Sequence, residues 1–137
     1  MDALPVPVTR YRGMTLMELM VVVAVVALLL TLALPAYQQQ QLRVNRTAAQ
    51  GEMLRIAALQ QHHLLSRRRF MDASALEASG FALDPDVAKH YRYSISLGEE
   101  AMPSFALTFT PLGSQLPDGA LGLNEQGVST PAAKWAR

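Results

Sequence analysis

The chain contains no cysteine among its 137 residues. It therefore cannot form a disulfide, although small exported domains often depend on them. Charge is also scarce, since charged residues make up 17% of the chain and the formal net charge is +1 with histidine neutral. Such a balance gives no general attraction to nucleic acid. The length suits one small domain plus an anchoring segment, and no internal repeat or low-complexity segment is present.

Charge is almost missing from the apolar stretch Met14–Leu34, where Glu18 is the one charged residue. As a helix this stretch would be roughly 32 Å long, which matches the hydrocarbon core of a bilayer. A carboxylate near the end of such a helix costs a few kcal/mol on insertion and needs a partner. Arg12 lies across Gly13 and is not a local partner. The simplest source of a partner is another molecule.

The residues around this glutamate follow a specific order, Gly13-Met14-Thr15-Leu16-Met17-Glu18-Leu19. They resemble the class III signal of type IV pilins and pseudopilins, in which a phenylalanine usually follows the glycine. The resemblance implies that residues 1–13 are a cytoplasmic leader. It also implies that a prepilin peptidase cuts between Gly13 and Met14 and methylates the new amine. Glu18 would then be the fifth residue of the mature subunit.

Two simpler interpretations of the apolar stretch remain open. A Sec signal peptide also has a basic start and an apolar core, and Thr31-Leu32-Ala33 offers a weak cleavage site after that core. A plain single-pass anchor explains the length of the stretch. Neither interpretation explains why Gly13 and Glu18 occur together.

The pattern predicts a long first helix, with residues 14–37 spanning the membrane or the filament core and residues 38–66 amphipathic. Pro35 removes one backbone hydrogen bond, so a bend or local unwinding is expected there. In the amphipathic half, apolar residues recur on one face at helical spacing. The members of this stripe are Leu42, Ala49, Met53, Ile56, Ala57 and Leu64.

Residues 67–137 predict a connecting region, an antiparallel sheet and a C-terminal loop. A short helix is expected at Asp72–Ala78, and the apolar period then changes to two, as in strands. Two strong strands and two weaker ones are predicted, around Tyr91–Leu97, Phe105–Thr110, Ala120–Asn124 and Gly127–Thr130. The fold class is therefore α+β, a pilin fold with a long N-terminal helix packed on a small antiparallel sheet.

The C-terminal half resembles the PilE-like group of pilins, many of them minor subunits. The resemblance is carried by Tyr91-Arg-Tyr-Ser-Ile, Leu121-Gly-Leu-Asn-Glu-Gln-Gly127 and the terminal Trp135. Members usually carry two cysteines, at the positions occupied here by Asp118 and Lys134. We hypothesise that these two residues form an ion pair in place of the disulfide. The alternative is two unrelated surface charges.

Arg67, Arg68 and Arg69 form a basic run at the predicted end of the helix. The first interpretation is a solvated helix end whose positive charges are favoured by the helix dipole. The second is a contact to DNA phosphates. His62 and His63 are adjacent on a helix and diverge by about 100°, so no metal site is predicted. No catalytic arrangement and no cofactor site is predicted, and the chain is not expected to be an enzyme.

The function that the sequence predicts is that of a structural type IV pilus subunit, of the minor type. The expected partners are other pilin subunits, a prepilin peptidase, the inner-membrane assembly machinery and membrane lipid. The expected location is the inner membrane first and the extracellular pilus afterwards. The alternatives are a type II secretion pseudopilin and a DNA-uptake pilin, with DNA as a lesser partner.

Overall fold

The computed structural model describes residues 13–98 and 102–136. Residues 1–12, which make up the predicted leader except Gly13, lie outside the described residues. Part of the predicted loop between the two strong strands also lies outside them. The chain divides after Gln38 into two compact units. The first contains the apolar stretch, and the second contains the whole described sheet.

The first helix, α1, runs over Leu16–Arg67, 52 residues in all. It begins after Thr15, whose hydroxyl accepts a hydrogen bond from the Glu18 backbone N–H at 3.2 Å. This is an N-cap bond, which satisfies one of the free N–H groups at a helix start. Among the described helices, α1 alone is long and apolar enough to cross a membrane, judged by length and composition.

Helix α1 continues through Pro35 without interruption. Of the two outcomes predicted at this proline, local unwinding was therefore wrong, and a bend stays a prediction. A proline removes a single intrahelical hydrogen bond. Good helix formers, Leu34 and Ala36, flank it and favour continuation of the helix on both sides.

The second half of α1 buries one face against the sheet, with Ala49, Met53 and Ile56 fully covered. These three belong to the predicted stripe, whereas the equally buried Gln60 does not. The Gln60 amide forms two 2.7 Å hydrogen bonds with the backbone of Met71, donating to its carbonyl and accepting from its N–H. Because both groups of the amide are paired, a polar side chain is accommodated in the core.

Two short helices follow, α2 at Ala73–Ala78 and α3 at Pro85–Ala88. Helix α2 was predicted, with its end at Ser79-Gly80, and Gly80 adopts the positive φ of 93° that favours glycine. Helix α3 was not predicted, although Asp84 caps it by accepting from the Asp86 N–H at 2.8 Å. Proline in the first turn is a recognised start signal for a helix.

The sheet has four antiparallel strands in the order β1-β2-β3-β4. They run over Tyr91–Gly98, Ser104–Pro111, Leu121–Asn124 and Ser129–Thr130. Two 3₁₀ helices, at Gly113–Asp118 and Ala132–Lys134, occupy the predicted C-terminal loop region. Alternate strand residues, among them Phe105, Leu107 and Phe109, meet α1 in one core. The predicted α+β fold is confirmed.

Candidate functional site

Glu18 lies in the first turn of α1, in a segment whose side chains are uncovered. The large apolar side chains between Met14 and Leu34 are 49–78% exposed. A contiguous apolar surface of this extent is far larger than soluble monomers expose. The segment therefore requires lipid or other protein around it.

The described neighbours of Glu18 provide a hydrogen-bond partner for its backbone N–H but no partner for its charge. The Thr15 hydroxyl accepts from its backbone N–H. Within the described residues no cation forms an ion pair with its carboxylate. The described residues thus leave this charge without a cationic partner.

Gly13 precedes this helix and is itself exposed. A Cβ added at Gly13 would meet nothing within 4 Å. The described part of the chain therefore leaves room for a side chain at this position.

A second cluster of functional interest surrounds Asp118, which is 7% exposed and ends the first 3₁₀ helix. The Tyr91 hydroxyl donates to Asp118 Oδ2 at 2.9 Å. Two cations approach Oδ1 of the same carboxylate, Arg46 Nη1 at 3.6 Å and Lys134 Nζ at 3.9 Å. Helix α1, strand β1 and the C-terminal tail therefore converge on one carboxylate.

Gln115, which is fully buried, connects this cluster to the backbone of α1. Its Nε2 donates to the Tyr91 hydroxyl at 2.9 Å and to the Leu42 carbonyl at 3.0 Å. Its Oε1 accepts from Asn45 Nδ2 at 3.1 Å. Burial raises the pKa of Tyr91, and the hydrogen bond to Asp118 acts in the same direction. Tyr91 therefore stays protonated at neutral pH and remains a donor.

The two residues of the predicted loop ion pair thus lie close together. The predicted pair did not include Arg46, which approaches the same carboxylate oxygen more closely than Lys134 does. It also did not include Tyr91, whose hydroxyl makes the shorter contact with this carboxylate. That this cluster holds the tail in the role of the absent disulfide is a proposal.

Replacement of Asp118 by alanine should lower the free energy of unfolding by about 3 kcal/mol. The reason is that two half-buried cations lose their carboxylate and the buried Tyr91 hydroxyl loses its acceptor. Urea denaturation of the full chain in detergent, followed by the fluorescence of the single tryptophan, Trp135, measures this change.

Asp86→Ala is the matched control, because Asp86 forms a 2.7 Å ion pair with Lys89 whose two side chains are both exposed. Exposed pairs of this kind contribute little to stability. The control should therefore denature like the unaltered protein. Equal effects of the two substitutions would contradict a special role for the Asp118 cluster.

The predicted basic run, Arg67 to Arg69, lies at the end of α1 and is exposed throughout. Arg68 has a positive φ of 61°, where the chain leaves the helix. None of the three forms an ion pair within the described residues. The structure thus places the run on the surface, which suits either a solvated helix end or an anion contact.

The fold and these sites can be compared with known proteins. A family model described as type IV minor pilin ComP, DNA uptake sequence receptor, matches residues 35–120. The chain belongs to this family. The long first helix, the four-stranded antiparallel sheet and the C-terminal 3₁₀ segments are therefore those of a type IV pilin of the minor type.

Two further comparisons bear on this pilin. A second model, the prokaryotic N-terminal methylation motif, matches residues 8–34. The type IV major pilin protein PilA of Myxococcus xanthus (strain DK1622) is 31% identical over 87 residues, which cover 64% of this chain and 38% of that relative. The match thus spans well under half of the relative's length. No solved structure matches this pilin significantly.

Proposed function

We propose that this pilin is held in the inner membrane as a prepilin, is cut after Gly13 and is assembled into a surface pilus as a structural, non-catalytic subunit. The observation that carries the proposal is the uncovered apolar half of α1 with Glu18, which has no ion-pair partner among the described residues. The match of the N-terminal methylation motif over residues 8–34 supports it.

The assembly chemistry follows from the carboxylate. Cleavage frees a positively charged amine at Met14. When the apolar helices of several subunits pack together, an unpaired carboxylate among them is costly. The amine of an incoming subunit neutralises Glu18 of a neighbour, or its own Glu18. Subunits added in a staggered, heterologous arrangement then form an open helical polymer.

The partners in this proposal are other pilin subunits, a prepilin peptidase, the inner-membrane assembly machinery and lipid. A type II secretion pseudopilin would share the N-terminal features. The family matched over residues 35–120 and the Myxococcus relative are both described as type IV pilins, which favours a pilus over a secretion pseudopilus.

Intact-mass analysis of sheared surface filaments tests the proposal. We expect filaments to contain a chain that begins at Met14, with a methyl group on its amine. The membrane fraction of a strain without the peptidase should contain the longer chain that begins at Met1. Recovery of the unaltered protein as a soluble monomer that begins at Met1 would refute the proposal.

We also propose that the subunit binds DNA at the cell surface. The specific support is the family description, which names a receptor for a DNA uptake sequence. The exposed Arg67, Arg68 and Arg69 provide one surface for phosphate contacts. If the full chain in detergent leaves the anisotropy of a labelled DNA duplex unchanged, this second function is excluded.

A further inference from the structure

A groove runs between α1 and the C-terminal tail and has a volume of about 840 Å³. Arg43, Arg46 and Gln50 line one side of it, at helical spacings that place them on the same face of α1. Lys134 and Trp135 line the other side. The Gln50 side chain donates to the Lys134 carbonyl at 2.9 Å, so the two sides are fixed to each other.

The groove carries more positive charge than its surroundings neutralise. Arg46 and Lys134 share one carboxylate oxygen of Asp118, at 3.6 and 3.9 Å. Both separations are longer than charge-assisted hydrogen bonds of 2.7–2.9 Å. Arg43 is exposed and forms no ion pair within the described residues. Of the three cations that line the groove, two share one carboxylate and the third, Arg43, has no acidic partner among the described residues.

The cations are also positioned in advance of any ligand. The side chains of Arg46 and Lys134 are only 19% and 25% exposed, which limits their freedom. The Lys134 ammonium lies against Gly119, where an added Cβ would be 3.2 Å from Nζ. Ordered cations lose less entropy when an anion binds than freely moving ones do.

A neutral donor completes the set. The Trp135 indole Nε1 is buried and has no hydrogen-bond partner among the described residues. Buried donors normally have a partner, so each exception calls for an explanation. Because this nitrogen is shielded from solvent, an acceptor oxygen in the groove satisfies it only when the Trp135 side chain shifts toward the ligand.

We propose that this groove binds the phosphate backbone of DNA, with Arg43, Arg46 and Lys134 as the charged contacts and the Trp135 N–H as a neutral donor. The inference rests on the DNA-binding function proposed above and assigns it a surface distinct from the Arg67–Arg69 run. Backbone contacts of this kind position a duplex and give affinity without reading its sequence.

Fluorescence anisotropy of a labelled 30-base-pair duplex with the full chain in detergent, measured at several salt concentrations, tests the assignment. Arg43→Gln should weaken binding roughly 5- to 10-fold near 0.1 M salt and reduce the salt slope by about 1, as expected when one phosphate contact is lost. Trp135→Phe keeps the ring, removes the N–H and should weaken binding about threefold with an unchanged salt slope.

Two control variants separate the groove from general charge. Arg92→Gln removes one exposed arginine from β1, outside the groove, and should bind as the unaltered chain does. Neutralisation of Arg67, Arg68 and Arg69 together removes the other basic surface, and the further loss of affinity caused by Arg43→Gln should persist in that background. Because Arg43 has no ion-pair partner among the described residues, its replacement should leave the urea midpoint unchanged.

The outcomes are distinguishable. An unaltered chain that does not bind the duplex would overturn the DNA-binding function itself. Binding that persists in Arg43→Gln and Lys134→Gln but disappears in the Arg67–Arg69 variant would place the contacts at the end of α1 and overturn the groove. Unchanged DNA affinity with loss of filament incorporation in Arg43→Gln would assign the groove to a neighbouring subunit and also overturn it.

Discussion

Replacement of Glu18 by alanine should leave the subunit in the inner membrane, correctly cleaved, and remove it from surface filaments. In the proposed assembly, the amine of an incoming subunit would then meet no carboxylate. An unpaired charge inside an apolar helix bundle costs about 3 kcal/mol. That cost corresponds to roughly a 100-fold loss of incorporation. Immunoblots of sheared filaments and of membranes, quantified on the same cells, measure the ratio.

The substitution isolates the carboxylate well. The N-cap bond at the start of α1 uses the backbone N–H of Glu18 and the hydroxyl of Thr15, so the alanine variant keeps it. Glu18→Gln retains the size and polarity of the side chain without its charge and should fail like alanine. Glu18→Asp retains the charge on a shorter stem and should recover part of the incorporation. Normal incorporation of the glutamine variant would refute the pairing.

Replacement of Gly13 by leucine should block processing almost completely. The described part of the chain would tolerate this side chain, because a Cβ at Gly13 meets nothing within 4 Å. A failure must therefore arise where the peptidase approaches the backbone. Intact-mass measurement of the membrane-extracted chain should show a precursor that retains Met1, and sheared filaments should contain none of the variant.

A graded series distinguishes steric exclusion from a general effect on the membrane segment. Gly13→Ala adds one methyl group and should be processed more slowly than the unaltered chain, whereas Gly13→Leu should not be processed. Both variants should insert into the membrane equally, because the apolar stretch that follows is unchanged. Cleavage of the leucine variant at the normal rate would contradict the assigned cleavage site.

Much of the fold was predictable because the spacing of apolar residues along the sequence indicates which face of a helix or strand is buried. The helical spacing of Ala49, Met53 and Ile56 predicted the buried face of α1. The alternation in Tyr91–Leu97 predicted β1 within one residue of its end. The two weaker predicted strands, Ala120–Asn124 and Gly127–Thr130, leave a short connection between them, and there the Asn124 side chain accepts from the N–H groups of Gln126 and Val128.

The polar part of the core was not predictable in the same way. A hydrophobic period leaves out residues such as Gln60, whose burial depends on two hydrogen bonds with Met71 in a different segment. Likewise, nothing near Arg46 in the sequence indicates that it approaches Asp118. Contacts of this kind depend on the tertiary fold, so local patterns do not show them. The groove between α1 and the tail was missed for this reason.

In the proposed closure, the tail of this pilin is held by non-covalent contacts at Asp118, which pairs with Arg46 and Lys134 and accepts from the Tyr91 hydroxyl. Its closure therefore needs no oxidant and no thiol-exchange catalyst, and a reducing environment does not open it. The two ion pairs at Asp118 are largely buried, so dissolved salt screens them much less than it screens exposed pairs, and the closure should hold across a wide range of ionic strength.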